Sequence, residues 1–331
     1  MWYRTLSVSW ILFGLSHHAV GQEADTAFHY QIPLPAYGVG AGPVVCIDAA
    51  HSNRHTATGT YAPFANLLRA DGYQVRGLDT AWSRTALTQC GIVVTVNALA
   101  PENLRDRSLP HPPAFSKTEL DAVVGWVNDG GALLLIADHS PWAGAVADLA
   151  MVFGFAMLDA FAGPGDQGAV IALFGAPNVP DGTWRQYATD RSLPYTPIQG
   201  AVANVGSLGA HKILRGRGAA ERIAWMVTFT GSVFLPSSRV EPLLVFGPRA
   251  IAILDRPDAS PFPVGGWLQA GAARFGEGRV VMIGEAATCT AQVGGPRRIP
   301  TGMNVPVAPY NAQFCLNAVH WLTRLLDDVP G

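Results

Sequence analysis

Between residues 43 and 160, short apolar runs alternate with stretches of helical spacing. The run 43–48 (PVVCID) reads as a first strand. Residues 59–73 (GTYAPFANLLRADGY) place Tyr61, Phe64, Ala65 and Leu68 on one helical face, and Gly72 follows as a natural C-cap. A second strand is expected at 74–79 (QVRGLD). A third is expected at 90–97 (CGIVVTVN), whose continuous β-branched run implies burial on both faces. The clearest helix is 116–131 (SKTELDAVVGWVNDGG). Ser116 and Glu119 have capping-box spacing, Leu120, Val123, Val124 and Val127 form the apolar face, and Gly130-Gly131 ends it. Residues 132–138 (ALLLIAD) give a fourth strand, and 141–155 (PWAGAVADLAMVFGF) a further helix.

Strands alternating with helices imply parallel pairing through right-handed crossovers, hence α/β architecture with a doubly wound, mostly parallel sheet. Residues 160–265 are less regular. Turn dipeptides recur there (Gly163-Pro164, Pro177-Asn178, Asp181-Gly182), among short β-like runs such as 223–231 (IAWMVTFTG) and 242–247 (PLLVFG). This segment reads as a partly antiparallel elaboration of the single domain expected over 43–331. Order returns at 267–287 (WLQAGAARFGEGRVVMIGEAA), with a turn expected at Glu277-Gly278 and a buried strand at RVVMIG. The helix at 311–326 (NAQFCLNAVHWLTRLL) closes the chain.

The start departs from this pattern. Residues 1–21 combine an Arg4-containing opening, the apolar stretch TLSVSWILFGL and a polar exit with Ala19 and Gly21. This is the pattern of a secretory signal peptide cut after Gly21, with an uncleaved anchor as the alternative. Residues 22–42, rich in Gly, Pro and Ala, read as an irregular lead-in. No later run has the ~20 apolar residues of a membrane span, so a periplasmic or secreted mature protein without a membrane span is expected. Export makes the four cysteines (Cys46, Cys90, Cys289 and Cys315) candidates for disulfides. Three pairings are open, and Cys46 and Cys90 could equally be small core residues.

Composition narrows the partners. Of 331 residues, 49% are hydrophobic and 14% charged, enough apolar material for a substantial core. The formal charge is −2 and the 22 basic residues are scattered, so no nucleic-acid footprint is expected.

The chemistry sits at strand ends. The first strand ends in Asp48, followed by His51, Asn53 and His55. The third ends in Asn97, the fourth in Asp138-His139-Ser140, and RVVMIG is followed by Glu285. Strands of one parallel sheet point the same way, so these ends share one rim, where open α/β sheets bind ligands. Carboxylates with imidazoles can hold a divalent metal and activate water, or do acid/base work unaided. Asp48, His51 and His55 are the candidate metal ligands, although the i, i+4 spacing of the two histidines suits a metal only on a helix. Against these readings, Asp at a strand end is often a turn former or N-cap, and Ser140 could cap the next helix by itself. His211 is a candidate for shaping a turn or facing the site. His320, at helical spacing among apolar residues, reads as structural. Residues 163–168 (GPGDQG) lack P-loop or dinucleotide spacing, and no G-x-S-x-G elbow occurs.

The ordered set VVCID, FANLLRADGYQV, CGIVVTVN and LDAVVGWVNDGGALLLIADH resembles the class I glutamine amidotransferase-like superfamily. Within it, the chain is most similar to the branch of ThuA-like proteins, gliding-motility and ABC-transporter accessory domains and exported domains. AHKILRGR (210–217) and GRVVMIGEAA (278–287) are similar to recurrent pieces of that branch. The resemblance covers most of 43–326 and implies a flavodoxin-like α/β sandwich. The superfamily's nucleophilic Cys on a tight G-x-C-x-G turn is missing: Asp138-His139-Ser140 stands at the equivalent strand end. Glutaminase chemistry is therefore not implied, and only His139 matches the ThuA-like pattern.

The sequence thus leads to an exported protein with a polar pocket at the carboxyl rim. As an enzyme it would be a hydrolase acting on a glycan or other small polar substrate. His139, Asp138, Asp48 and Glu285 would be catalytic, and His51, Asn53, Asn97 and His211 would bind substrate. The alternative is a non-catalytic domain that binds a ligand or partner of the cell envelope.

Overall fold

The computed structural model describes residues 22–165, 169–175, 201–296 and 298–328. Residues 1–21, where the signal peptide is expected, lie outside them, as do the dipeptides Pro177-Asn178 and Asp181-Gly182.

Ten strands form the main path of the large sheet: β1 (Val44–Asp48), β2 (Gln74–Leu78), β3 (Ile92–Val96), β4 (Ala132–Ile136), β5 (Ala169–Phe174), β6 (Ala201–Leu208), β7 (Met226–Thr228), β8 (Glu241–Phe246), β9 (Leu268–Phe275) and β10 (Gly278–Ile283). Their order is β7-β5-β6-β8-β9-β10-β4-β3-β1-β2. Neighbours in the run β2-β1-β3-β4-β10 are all parallel. From β10 onward β9 and β8 pair antiparallel, and so do β6 with β8 and β7 with β5, while β5 and β6 are parallel. The sheet is therefore mixed, which corrects the expectation of a mostly parallel one. Most strands of the elaborated 160–265 segment extend the same sheet, while Ala160–Pro164, Ala250–Leu254 and Phe262–Pro263 form a small antiparallel sheet of their own.

The parallel half is built by apolar runs buried on both faces. Val45, Ile47, Val94, Leu134 and Val281 pack to one side. Cys46, Val93, Leu133, Leu135 and Met282 pack to the other. Each such side chain contributes about 1.5–3 kcal/mol through burial. Helices α1 (Ala62–Ala70) and α6 (Asn311–Leu322) cover the first face. On the second lie α2 (Lys117–Asn128) and the short α3 (Trp142–Ala145) and α4 (Ala147–Val152). The single helix expected at 141–155 is thus split, with Val146 ending α3 and starting α4. Helix α2 begins with the expected capping box between Ser116 and Glu119.

Two further expectations shift. The β9–β10 turn is Gly276-Glu277, because Phe275 and Gly278 already pair; Gly276 takes φ +54. Gly163-Pro164 lies inside a strand, Ala160–Pro164, that pairs with Ala250–Leu254. The cysteines pair as Cys46–Cys90 and Cys289–Cys315, so the first two are buried disulfide partners and not free core thiols.

Candidate functional site

The strand order reverses between β1 and β3, where β2 lies on one side and β4 on the other. The end of β1 brings Asp48 to this place, and the loop after it brings His51, Asn53 and His55. Asp48 is fully buried and saturated with donors. It accepts from the Ala50 amide at 3.1 Å, Asn53 Nδ2 at 3.2 Å, Thr95 Oγ1 at 2.7 Å and His51 Nδ1 at 2.9 Å. His51 Nε2 reaches Glu119 Oε1, also at 2.9 Å. The ring packs against Trp82 and Phe115. Burial opposes a charge on His51, yet the bonds and charges of Asp48 and Glu119 outweigh it and raise the His51 pKa. This loop is a clamp between β1 and the start of α2.

The metal reading of Asp48, His51 and His55 is corrected by these contacts. His51 spends both ring nitrogens on carboxylates. His55 turns away, with Nδ1 2.7 Å from Thr60 Oγ1 and its ring against Tyr61. Burial first, then Arg54, pushes the His55 pKa down to about 4. No group of three or more His, Cys, Asp or Glu among the described residues could hold a metal ion. Asp48, His51 and Asn53 do not line the cavity at the rim, so substrate binding by His51 and Asn53 has no geometric basis. Asn53 instead holds Asp48 and donates to the Val96 carbonyl at 3.0 Å.

That cavity, of roughly 550 Å³, is lined by His55, Asn97, Asp138, His139 and Glu285 of the predicted residues. Asn97 takes φ +50, a conformation Asn tolerates, and accepts from the Asp138 amide at 2.8 Å. His139 presents Nδ1 to its neighbour's carbonyl, Ser140 O, at 2.7 Å. The ring stacks on Phe161 with centroids 4.0 Å apart. Its Nε2 stands 3.9 Å from Asp138 Oδ1. Glu285 is 1% exposed. It accepts from the Ala287 amide at 2.8 Å and Thr288 Oγ1 at 2.6 Å.

Two carboxyls, buried Glu285 and half-buried Asp138, therefore line one cavity. Burial, then the charge of Asp138, raises the Glu285 pKa well above the ordinary range. Burial also raises Asp138, partly offset by His139 and by amide donors including that of Ala286. Such a pair titrates as a unit and retains a proton that isolated carboxyls lose. The hydroxyl of Tyr61 donates to the Ala286 carbonyl at 2.6 Å, and the negative charge of both carboxyls adds to burial in raising its pKa.

His211 lies elsewhere, in a second cavity with Arg215 and Arg222. Ser140 does not cap α3: Pro141 holds the N-cap position, and the buried Ser140 Oγ has no hydrogen-bond partner among the described residues. Trp142, Arg107, Phe229 and Arg54 also line the first cavity, though the sequence did not single them out. Trp142 alone was traceable, because it follows Asp138-His139 by one short turn.

No family model matches the chain, and no curated protein matches it. Solved structures do. The N-terminal domain of mmIFT52 is 12% identical, with 85% of this chain and 97% of that chain covered and a TM-score of 0.52. At this identity the likeness shows the fold alone. A ThuA-like protein from Bacteroides uniformis is 11% identical, with coverage of 89% and 94% and a TM-score of 0.42. A second, from Parabacteroides merdae, is 9% identical, with coverage of 85% and 89% and a TM-score of 0.38.

Proposed function

We propose that the chain is an exported, ThuA-like protein of flavodoxin-like type that hydrolyses a glycan or another small polar compound in the cavity at the rim. The observation that carries this reading is the pair of carboxyls that line that cavity, buried Glu285 and half-buried Asp138, whose charge helps raise the Glu285 pKa. Glu285, the more strongly raised, is the general acid. Asp138 is the base that draws a proton from water, with His139 Nε2 at 3.9 Å steadying its charge. Trp142 and Phe229 supply apolar faces for a sugar ring. The strand order of the parallel half supports the flavodoxin-like part of the reading, since it matches that fold and puts the reversal point beside the cavity. Pairing of all four cysteines supports export.

One observation favours a binding role instead. Both oxygens of Glu285 already bond within their own loop, to Ala287 and Thr288, as a structural carboxyl would. A panel of nitrophenyl glycosides and esters decides between the two. Hydrolysis that Glu285→Gln and Asp138→Asn each lower by about 10²–10⁴-fold supports the enzyme. Retention of a bound sugar by wild type without turnover supports the binder. Turnover that survives both substitutions removes this site from the function.

A further inference from the structure

We propose that the cavity around His211 is a second binding site, for a phosphate or sulfate monoester carried on an apolar body. It measures roughly 530 Å³ and shares no lining residue with the carboxyl cavity. One contiguous stretch, 208–215, supplies most of its wall, running from the end of β6 into the short helix α5 (Lys212–Arg215). Gly209 allows that stretch to press on β8, since a Cβ there would fall 1.9 Å from the Pro242 carbonyl.

The wall has two kinds of surface. Leu208, Leu214 and Ile223 are apolar, and Arg215, Arg222 and His211 are donors; no carboxylate among the described residues lines it. His211 Nδ1 accepts the Ile213 amide at 3.2 Å, so the neutral ring carries its proton on Nε2. Among the described residues that N–H has no partner at bonding distance, Glu241 Oε2 standing 3.7 Å away. Burial, then the charges of Arg274, Arg215, Arg279 and Lys212, holds the His211 pKa down at about 4, which keeps the ring neutral and donating at neutral pH.

The neighbouring cations divide into two groups. Arg279 bonds to Trp321 O and Asp327, and Lys212 Nζ to the carbonyls of Leu326 and Asp327. They fasten the end of α6. Arg215 and Arg222 are exposed and make no ion pair among the described residues. Two guanidinium groups and one imidazole N–H supply donors for the three terminal oxygens of a monoester, and guanidinium forks suit such oxygens. The leucine and isoleucine side would take the apolar body.

The test uses the full chain with phenyl phosphate, phenyl sulfate, inorganic phosphate and phenol, read by calorimetry. Phenyl phosphate or phenyl sulfate is expected to bind, at least tenfold more tightly than phenol or inorganic phosphate. The tighter of the two names the ester. Arg215→Ala/Arg222→Ala should weaken that binding at least tenfold with an unchanged melting temperature, and Glu285→Gln should leave it unaltered. Binding of neither ester, equal affinity in the double variant, or loss with Glu285→Gln would each overturn the proposal. None of these outcomes depends on the carboxyl cavity being catalytic.

Discussion

His51 Nδ1 lies 2.9 Å from each carboxylate oxygen of Asp48, while its Nε2 lies 2.9 Å from Glu119. Carboxylates only accept, so the ring makes both sets of bonds only as the imidazolium. A raised histidine pKa gives stability that is complete below the ordinary 6.5 and is lost as pH rises through the folded value. Glu119 works the other way. Its pKa is lowered to about 2 by bonds from Ser116, His51 and Trp82 acting against burial. Its contribution is present above the ordinary 4.5 and is lost as pH falls toward that lower value. The advantage of wild type over His51→Gln should therefore peak at about pH 5–6.5 and reach about 3 kcal/mol. Urea unfolding across pH measures it, and a flat difference rules out the charged clamp.

The carboxyl pair has the opposite consequence for a carboxyl. Because Glu285 is raised, the folded state keeps a proton that the unfolded chain releases above about pH 4.5. Stability should then fall as pH rises through the folded value, and Glu285→Gln should abolish that slope. Asp138→Asn should lower the Glu285 pKa by removing the neighbouring charge, an effect visible in carboxyl infrared bands or carbon NMR. A Glu285 titration unchanged in Asp138→Asn would show that the two groups are not coupled.

How far the chain could be read in advance follows from the range of each interaction. The parallel strands were legible because the runs around Val45, Val93, Leu134 and Val281 are apolar on both faces, a local signal. The rim was legible too, since parallel strands share a direction. What failed was the fate of each polar side chain there. Asp48 and His51 have the composition of a metal site, but their partners, Thr95 and Glu119, come from β3 and α2. Glu119 was visible as a cap and not as a partner of His51, since a capping box is local and the contact spans 68 residues of sequence. Antiparallel pairing within 160–265 was anticipated in general terms, but that β8 meets β9 was not, because neither run carries a local mark of its partner.

The Cys289–Cys315 bond joins the loop carrying Glu285 to α6. Thr288, which donates to Glu285, is the residue before Cys289. Replacing the pair by Cys289→Ala/Cys315→Ala should cost about 3 kcal/mol, because 26 residues then separate unlinked ends in the unfolded chain. It should also broaden the Glu285 titration, as the amides that hold the carboxyl are released. Cys46→Ala/Cys90→Ala, which fastens β1 to the start of β3, should lower stability similarly and leave that titration alone. If both pairs alter it equally, the effect is global and not a property of the loop.

His320 Nε2 lies 2.6 Å from Asp71 Oδ2, and neither side chain has exposed surface. Asp71 ends α1 and also accepts the Ala36 amide at 2.8 Å, and its backbone carbonyl accepts from Tyr37 at 3.1 Å. One carboxylate thus ties α6, α1 and the irregular lead-in together. Removing one partner leaves the other polar group buried without this hydrogen bond, so His320→Ala should cost about 1–3 kcal/mol. Asp71→Ala should cost as much and should free the lead-in as well, because only Asp71 bonds to Ala36. Limited proteolysis separates the two. Cleavage near residues 30–40 should accelerate more in Asp71→Ala than in His320→Ala at matched stability. A double-mutant cycle should then return 1–3 kcal/mol of coupling, roughly the range for contacting buried groups. Additive losses, with equal cleavage in both variants, would mean that the lead-in is held by its apolar contacts, Tyr30 and Tyr37 among them, and not by this carboxylate.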